Sequence, residues 1–458
     1  MILSHAIALK PTTEQEEYFL RACGTVRKVW NWALDEWKKI YESGGRPSAN
    51  ALKKQFNAIK YQKFPWLKEI HRDAHSQPFA YLQKAWQRFF EDIKKGYQIA
   101  PDCKKQQKAL KNQGVKLAYK PQFKKKGQCV DSFYVANDKF RLENGFVVLP
   151  KIGQVSLAES LRFTGNILGA VVKRKGLRWF LVVKVEVPDA VFYRKRTGDN
   201  VVGMDLGIKD LAIFSNGKIV PAVKPLKRSL RRLKIRSRRL SRKLEAAKLS
   251  IGIPKNKPIP KDTKLPVSKN RLKAQKQLTA LHGRIAHLRK DVADKLTTMI
   301  CRENQTVVME DLNVQGMIQN RKLAQAIQDV GFAMIRHMLE YKAKRYGATI
   351  IFANRWYPSS KLCSVCGVKY DGLTLSERSW TCQACGTTHD RDLNAAKNLL
   401  RLATATALPV ASSSSNGDAM SGMVPGIVGK VTPVRYECGH EDTSGQEQNC
   451  EHVRSRFG

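Results

Sequence analysis

The sequence predicts an α+β chain of several domains, in which a mixed α/β core is interrupted by a small metal-binding module. Three observations carry this. Apolar residues alternate with a period of two in some stretches and recur every three to four residues in others, so strands and helices are interleaved. Asp205 and Glu310 each end an apolar run, VVGM and TVVM, that reads as a strand. Two CxxC pairs, Cys363/Cys366 and Cys382/Cys385, stand fifteen residues apart and run almost directly into an acidic helix start, HDRDLNAAKNLL.

At 458 residues the chain has room for about three domains. Its formal net charge of +43 exceeds anything solubility needs and repels itself unless a polyanion neutralises it, which points to nucleic acid. A membrane surface is the rival polyanion. No run of eighteen apolar residues, signal-peptide core or lipidation motif speaks for it. Four of the ten cysteines take metal-ligand spacing, while Cys23, Cys103, Cys129 and Cys301 are scattered, so a reducing cytoplasm and a nucleoid association are expected rather than a disulfide framework.

Taken in order, residues 2–9 read as a strand. A helix follows from Thr12 to about Tyr41, with Thr12 or Thr13 as its cap, and GGRPS at 44–48 ends it. Residues 49–60 and 73–96 give further helices, and the aromatics of the second are expected in a bundle core rather than as base-stacking surfaces. The Lys- and Gln-rich stretch 102–127 reads as a basic loop or arm. Beyond it, SFYVAN, KFRLENGFVVLP, QVSL and GAVVKRKGLRWFLVVKVEVP alternate with period two around Asn-Gly and Lys-Gly turns, predicting antiparallel strands in a small barrel. A helical block is therefore inserted between the first strand and the rest of a β domain, with a boundary near 188–200.

VVGMDLGIKDLAIFSNGKIV then gives two strands. Residues 224–248 form a helix with twelve Lys/Arg against one acid, Glu245, whose leucines keep one apolar face. A basic face of that density, without acidic partners one turn away, reads as a phosphate contact rather than a merely solvated surface. A proline-rich loop at 251–268 leads to a second long helix with Leu278, Leu281, Ile285, Leu288, Val292, Leu296 and Met299 in register, so 224–300 is an antiparallel hairpin. TVVMEDLNV is a strand, LAQAIQDVGFAMIRHMLEYKAKRYG an amphipathic helix, ATIIFANRW a strand. Residues 404–458 read as a disordered Ser/Gly/Ala-rich tail.

Two CxxC pairs at this spacing can close a tetrahedral Zn²⁺ shell, and this reading is preferred over buried or redox thiols. Asp205, Glu310 and Asp392 each stand at the end of a predicted element. A carboxylate closing an apolar strand is costly unless it meets a cation or a partner, and clustered oxygens suit Mg²⁺ or Mn²⁺. Strand–turn–strand around Asp205, a strand ending at Glu310 and a helix starting at Asp392 have the organisation of an RNase H-like nuclease. Asp210, Asp311 and Asp390 are expected as caps or supporting groups, and His389 as a hydrogen-bonded structural residue, since four cysteines already fill a zinc shell. Cys438, His440, Cys450 and His452 in the tail read as incidental placements rather than a Cys₂His₂ site.

GMDLGIKDLAIFSNG, MEDLNVQGM, YPSSKLCSVCG, WTCQACGTTHDRDLNAAKNLL and the basic hairpin together resemble the TnpB family of transposon-encoded RNA-guided nucleases, related to type V CRISPR effectors and often described as transposases. The resemblance covers roughly residues 1–402. It implies RuvC-type catalytic acids at Asp205, Glu310 and Asp392, the last chosen over Asp390 because it lies two residues before Asn394. It implies a wedge-like β-barrel (1–10 and 115–198), an inserted helical recognition lobe (11–114), a RuvC-like nuclease domain (199–361 and 388–403) and a zinc ribbon (362–387). The implied partners are a guide RNA from the transposon end and double-stranded target DNA bearing a short adjacent motif near Gln77 and Asn137. Arg231, Arg232, Arg238 and Arg239 are the expected phosphate contacts. The oligomeric state is left open, with a monomer slightly favoured. A non-cleaving RNA-guided regulator and a strand-transferring transposase are the rivals; loss of an acid would favour the first, and all three acids are present.

Overall fold

The computed structural model describes residues 1–260, 263–374 and 376–406, which leaves Cys438, His440, Cys450, His452 and most of the expected tail outside the described residues. The chain divides into two compact units after Asp189.

The first unit opens with the strand Ile2–Lys10 and the helix Thr13–Glu42. Thr12 caps that helix: its side chain accepts from the Gln15 amide, and the Gln15 side chain accepts from the Thr12 amide. Helices Ala49–Lys63 and Arg72–Lys94 complete a bundle around Val29, Trp30, Leu34, Leu52, Phe56, Phe79, Leu82 and Trp86. Of the third helix's aromatics Phe79, Trp86 and Phe89 are core, as expected, while Tyr81 and Phe90 stay exposed. The stretch read as a basic loop contains a helix, Lys104–Asn112, because KKQQKALKN is made of good helix formers and meets no glycine until Gly114. Its continuation is strapped down rather than free. Asn31 exchanges two hydrogen bonds with the Lys124 backbone (3.0 and 2.7 Å), and Trp30 donates to the Gln122 carbonyl at 2.9 Å.

Seven strands pair into one sheet in the order Ser132–Val135, Asn166–Lys175, Arg178–Glu186, Ile2–Lys10, Gly153–Leu157, Phe146–Leu149, Arg141–Glu143. The expected barrel is therefore not closed by hydrogen bonds among the described residues, since the two edge strands, Ser132–Val135 and Arg141–Glu143, do not pair with each other.

The second unit is built on a five-stranded sheet in the order Ile219–Pro221, Asp210–Phe214, Asn200–Asp205, Asn304–Glu310, Thr349–Ala353. The first three are antiparallel neighbours and the last three parallel. Parallel strands need crossovers, and helices Lys269–Glu303 and Phe332–Tyr346 supply them. They bury Leu296, Ile300, Ile335 and Leu339 against Val202, Met204, Val307 and Met309. The helix Arg391–Thr406 covers the other face, where Leu399 and Ala403 meet Val308 and Ala353. The amphipathic run expected as one helix is two, Ala324–Val330 and Phe332–Tyr346, because Gly331 takes φ +79° between them.

Helix Pro225–Leu249 pairs with Lys269–Glu303 through Leu233, Leu281 and Ile285. The hairpin is as predicted, but Leu288 is exposed. The buried stripe passes instead to Ala293, Leu296 and Ile300, where the long helix leaves its partner and meets the sheet.

Candidate functional site

Strand alternation brings the three acids together. Val202 and Met204 point into the core under the crossover helices, so Gly203 and Asp205 face the opposite side, toward helix Arg391–Thr406. On the neighbouring strand Met309 pairs in register with Met204, and the same parity turns Val308 and Glu310 toward that helix. Asp205 and Glu310 thus end adjacent parallel strands side by side, and Asp392 lies in the first turn of the helix laid across them. Gly203 makes this approach possible. A Cβ there would stand 2.5 Å from the Leu400 amide nitrogen and closer still to the Ala396 carbonyl oxygen.

The electrostatics follow from the crowding. Burial, then the carboxylates of Glu310 and Asp392, push the Asp205 carboxyl up to about 7, and Arg391 pulls weakly the other way. A cluster that suppresses its own ionisation is one that a cation relieves, and an all-oxygen donor set suits Mg²⁺ or Mn²⁺. The donor chemistry is thus of the kind a divalent ion takes, and Asp205, Glu310 and Asp392 are the groups that would hold it.

Two side chains that sequence reasoning missed hold the other acids. The Ser359 hydroxyl donates to Glu310 Oε1. Arg378 Nη1 donates to Asp392 at 3.1 Å and 3.4 Å, one bond to each carboxylate oxygen. Ser359 lies in the quoted motif YPSSK, but nothing in its spacing ties it to a residue 49 positions away. The flanking acids take supporting roles. Asp390 Oδ1 accepts from the amides of Asp392 and Leu393 (3.1 and 2.9 Å) and so caps the helix start. Burial alone would raise the Asp311 carboxyl, but ion pairs with Arg336 and Arg355 hold it below the ordinary carboxylate range.

The four cysteines converge as their spacing predicts, with all four sulfurs within 4.8 Å of one another. Sγ of Cys363 and Cys385 are 3.6 Å apart, and those of Cys366 and Cys382 3.5 Å. Zinc–sulfur bonds of about 2.3 Å in a tetrahedron place sulfurs about 3.8 Å apart, so the set fits Zn²⁺. His389 is a supporting residue: Nε2 lies 3.1 Å from Cys363 Sγ, and the ring packs on Trp380. The module is clamped to the acid-bearing helix by two asparagines one turn apart. Asn394 accepts from Ser364 N (2.9 Å) and donates to Leu362 O (2.7 Å), while Asn398 donates to Ser359 O (2.7 Å) and Leu362 O (2.6 Å).

The expected phosphate contacts Arg231, Arg232, Arg238 and Arg239 are all exposed on helix Pro225–Leu249. That helix is anchored by Asp329, which is 3% exposed, accepts from the amides of Leu226 and Lys227 (2.8 and 2.9 Å) and pairs with Arg289 at 3.1 Å. A buried carboxylate at a helix N-terminus satisfies the orphan amides there and meets the positive end of the dipole. In the first unit, Gln77 lines a small cleft of about 40 Å³ with Arg27, Tyr81 and Lys124. Asn137 opens an exposed turn next to Ala136, whose amide donates to Asp73 at 2.8 Å, one helical turn before Gln77.

The sheet order, the acids facing its covering helix and the four-cysteine module inserted before that helix define the class: an RNase H-like α/β domain with an embedded four-cysteine module. The chain belongs to the TnpB/IS605 family. It is 31% identical over 399 residues to a Streptomyces pristinaespiralis protein named "Putative RNA-guided DNA endonuclease", covering 85% of this chain and 86% of that one. It is 27% identical over 412 residues to the similarly named InsQ of Escherichia coli (strain K12), covering 86% and 90%. Family models match at residues 180–321 ("Probable transposase"), 332–399 ("Cas12f1-like, TNB domain") and 1–46 ("Helix-turn-helix domain"). The last segment is a strand and a single helix here. Among solved structures, a Cas12f1–sgRNA–target DNA complex aligns with a TM-score of 0.47 and 17% identity over 85% of this chain and 83% of that one.

Proposed function

We propose that this protein is a transposon-encoded, RNA-guided DNA endonuclease that hydrolyses phosphodiester bonds at the Asp205–Glu310–Asp392 face. The observation that carries the reading is the strand parity that turns Asp205 and Glu310 toward the helix bearing Asp392. Family membership and the names of the relatives supply the class of activity.

Mg²⁺ or Mn²⁺ bound there would polarise the scissile phosphate, activate a water and stabilise the leaving 3′ oxygen. The chain's own residues prepare the ground. Ser359 orients Glu310 by occupying one of its oxygens, and Arg378 holds Asp392 in place through an ion pair. The four cysteines would hold Zn²⁺ in a structural role, while Asn394 and Asn398 fix the module on the helix that presents Asp392. Arg231, Arg232, Arg238 and Arg239 neutralise backbone phosphates. Residues 11–114 act as a recognition lobe and 1–10 with 115–198 as a wedge, together holding a guide RNA from the transposon end. Gln77 and Asn137 contact a short motif beside the target, while guide pairing supplies sequence specificity. The protein works on double-stranded target DNA in the cytoplasm, associated with the nucleoid.

The test is cleavage of plasmids carrying a target beside a randomised motif, by full-length protein loaded with RNA transcribed from the transposon end. Cutting should require the guide, the divalent ion and Asp205. Cutting without RNA, or by the Asp205→Ala protein, refutes the proposal.

A further inference from the structure

Between strand Thr349–Ala353 and the first cysteine pair lies a short turn with an unusual balance of order and exposure. Its backbone and flanking side chains are tied down. Asn354 Oδ1 accepts from Trp356 N at 2.9 Å, and the Asn354 carbonyl accepts from Tyr357 N at 2.9 Å. Arg355 Nη2 donates to Asp311 Oδ2 at 2.9 Å, next to Glu310. Tyr357 Oη donates to the Asn398 carbonyl at 3.2 Å on the helix of Asp392, and Ser359 donates to Glu310 itself. Yet Trp356, at the centre of the turn, is 86% exposed, well above any other large apolar residue described.

A rigid turn that projects an indole into water keeps an unfavourable solvated surface for a partner to cover. Its surroundings say which kind. A protein-binding patch groups several apolar residues, whereas the neighbours in sequence, Asn354 and Arg355, are polar and exposed. An exposed flat aromatic flanked in sequence by a guanidinium, on a chain of net charge +43, matches an aromatic ligand on an anionic backbone, which is a nucleobase. The turn is fastened to both acid-bearing elements, so that base belongs to the strand lying at the acids. Paired bases keep their faces inside the duplex, and only an unpaired base has a face to offer.

We propose that Trp356 is a stacking platform for an unpaired nucleobase of the strand lying at the Asp205–Glu310–Asp392 face, holding that strand single beside the scissile phosphate. The inference rests on the nuclease reading above and adds a binding site to it. Stacking tolerates any base, as a guide-programmed site requires, because every base has a π-face.

The test uses full-length, guide-loaded protein carrying Asp205→Ala, so that the target stays intact. 2-Aminopurine is placed at one position at a time around the cleavage point of the target DNA. Its fluorescence is expected to be quenched at a position bordering that point, to recover when Trp356→Ala is added, and to stay quenched with Trp356→Phe. With Asp205 restored, Trp356→Ala should raise the half-saturating DNA concentration about ten-fold and Trp356→Phe should recover most of it, at unchanged Tm. Identical fluorescence profiles and equal half-saturation for Trp356→Ala and the parent protein would overturn the platform while leaving the nuclease reading standing. Parent protein that cuts with no guide or motif would instead remove that reading, and this inference with it.

Discussion

Gly203 and Ala396 are in backbone-to-backbone contact: the helix that presents Asp392 lies so close on the strand that ends at Asp205 that no side chain fits between them. The spacing of two acids 187 positions apart in sequence thus depends on a missing methyl group. Gly203→Ala should cost about 1–3 kcal/mol through overpacking, seen as a lower denaturation midpoint. It should also reduce cleavage far more than it weakens guide binding, because it moves the helix and not the basic hairpin.

Asp205 is held near neutrality by burial and by two other carboxylates. In buffer without added divalent ions, Asp205→Asn should raise Tm at pH 8 by removing that repulsion. Millimolar Mg²⁺ should raise Tm of the parent protein and leave that of Asp205→Asn unchanged. A thermal shift series over Mg²⁺ concentration checks both, and equal responses in the two proteins would argue against a metal at this face.

Asn398 offers two amide hydrogen bonds to carbonyls on either side of the loop entering the ribbon. Asn398→Ala leaves both carbonyls without that donor, at a cost of about 1–3 kcal/mol. One zinc per chain is expected by elemental analysis of the parent protein, lost in Cys382→Ser. Asn398→Ala should retain the zinc but release it faster to a chromogenic chelator.

The exposed arginines of the basic helix can be counted through salt. Each phosphate contact on a single strand contributes about 0.7 to the slope of log affinity against log salt. Replacing Arg231, Arg232, Arg238 and Arg239 together by Gln should therefore flatten that slope for guide RNA by up to about 3. An unchanged slope would assign the RNA to another surface.

His75 is buried in the helical bundle. Burial first, then the charges of Lys60, His71 and Arg72, push it down to about 4, against the opposing pull of Asp73. The unfolded chain takes up this proton near 6.5 and the folded chain only near 4. Stability from this group is therefore full above pH 6.5 and falls as pH drops toward 4, by at most about 3 kcal/mol. His75→Gln should flatten the decline of denaturation midpoint across that window.

Local chemistry was legible in the sequence wherever a physical constraint acts over a few residues. Thiol spacing announced the four-cysteine module because a knuckle turn closes on itself. Acids at the ends of apolar strands stood out because a buried run cannot end in charge without a reason. The basic helix showed itself through a single-sign charge count, and Thr12 through capping chemistry that spans three residues. Reading Gly331 as part of one helix failed because a lone glycine inside an apolar period looks tolerable until its φ is known.

The chain's composition and motifs by themselves determined a strongly cationic surface that calls for a polyanion, a four-thiolate site and three candidate acids. Only the tertiary structure decided the sheet order, the parity that turns Asp205 and Glu310 to one face, the partners Ser359 and Arg378, and the exposure of Trp356. These depend on contacts between residues many positions apart. No local propensity encodes such contacts; they are set by which faces are left to be buried once every element has formed.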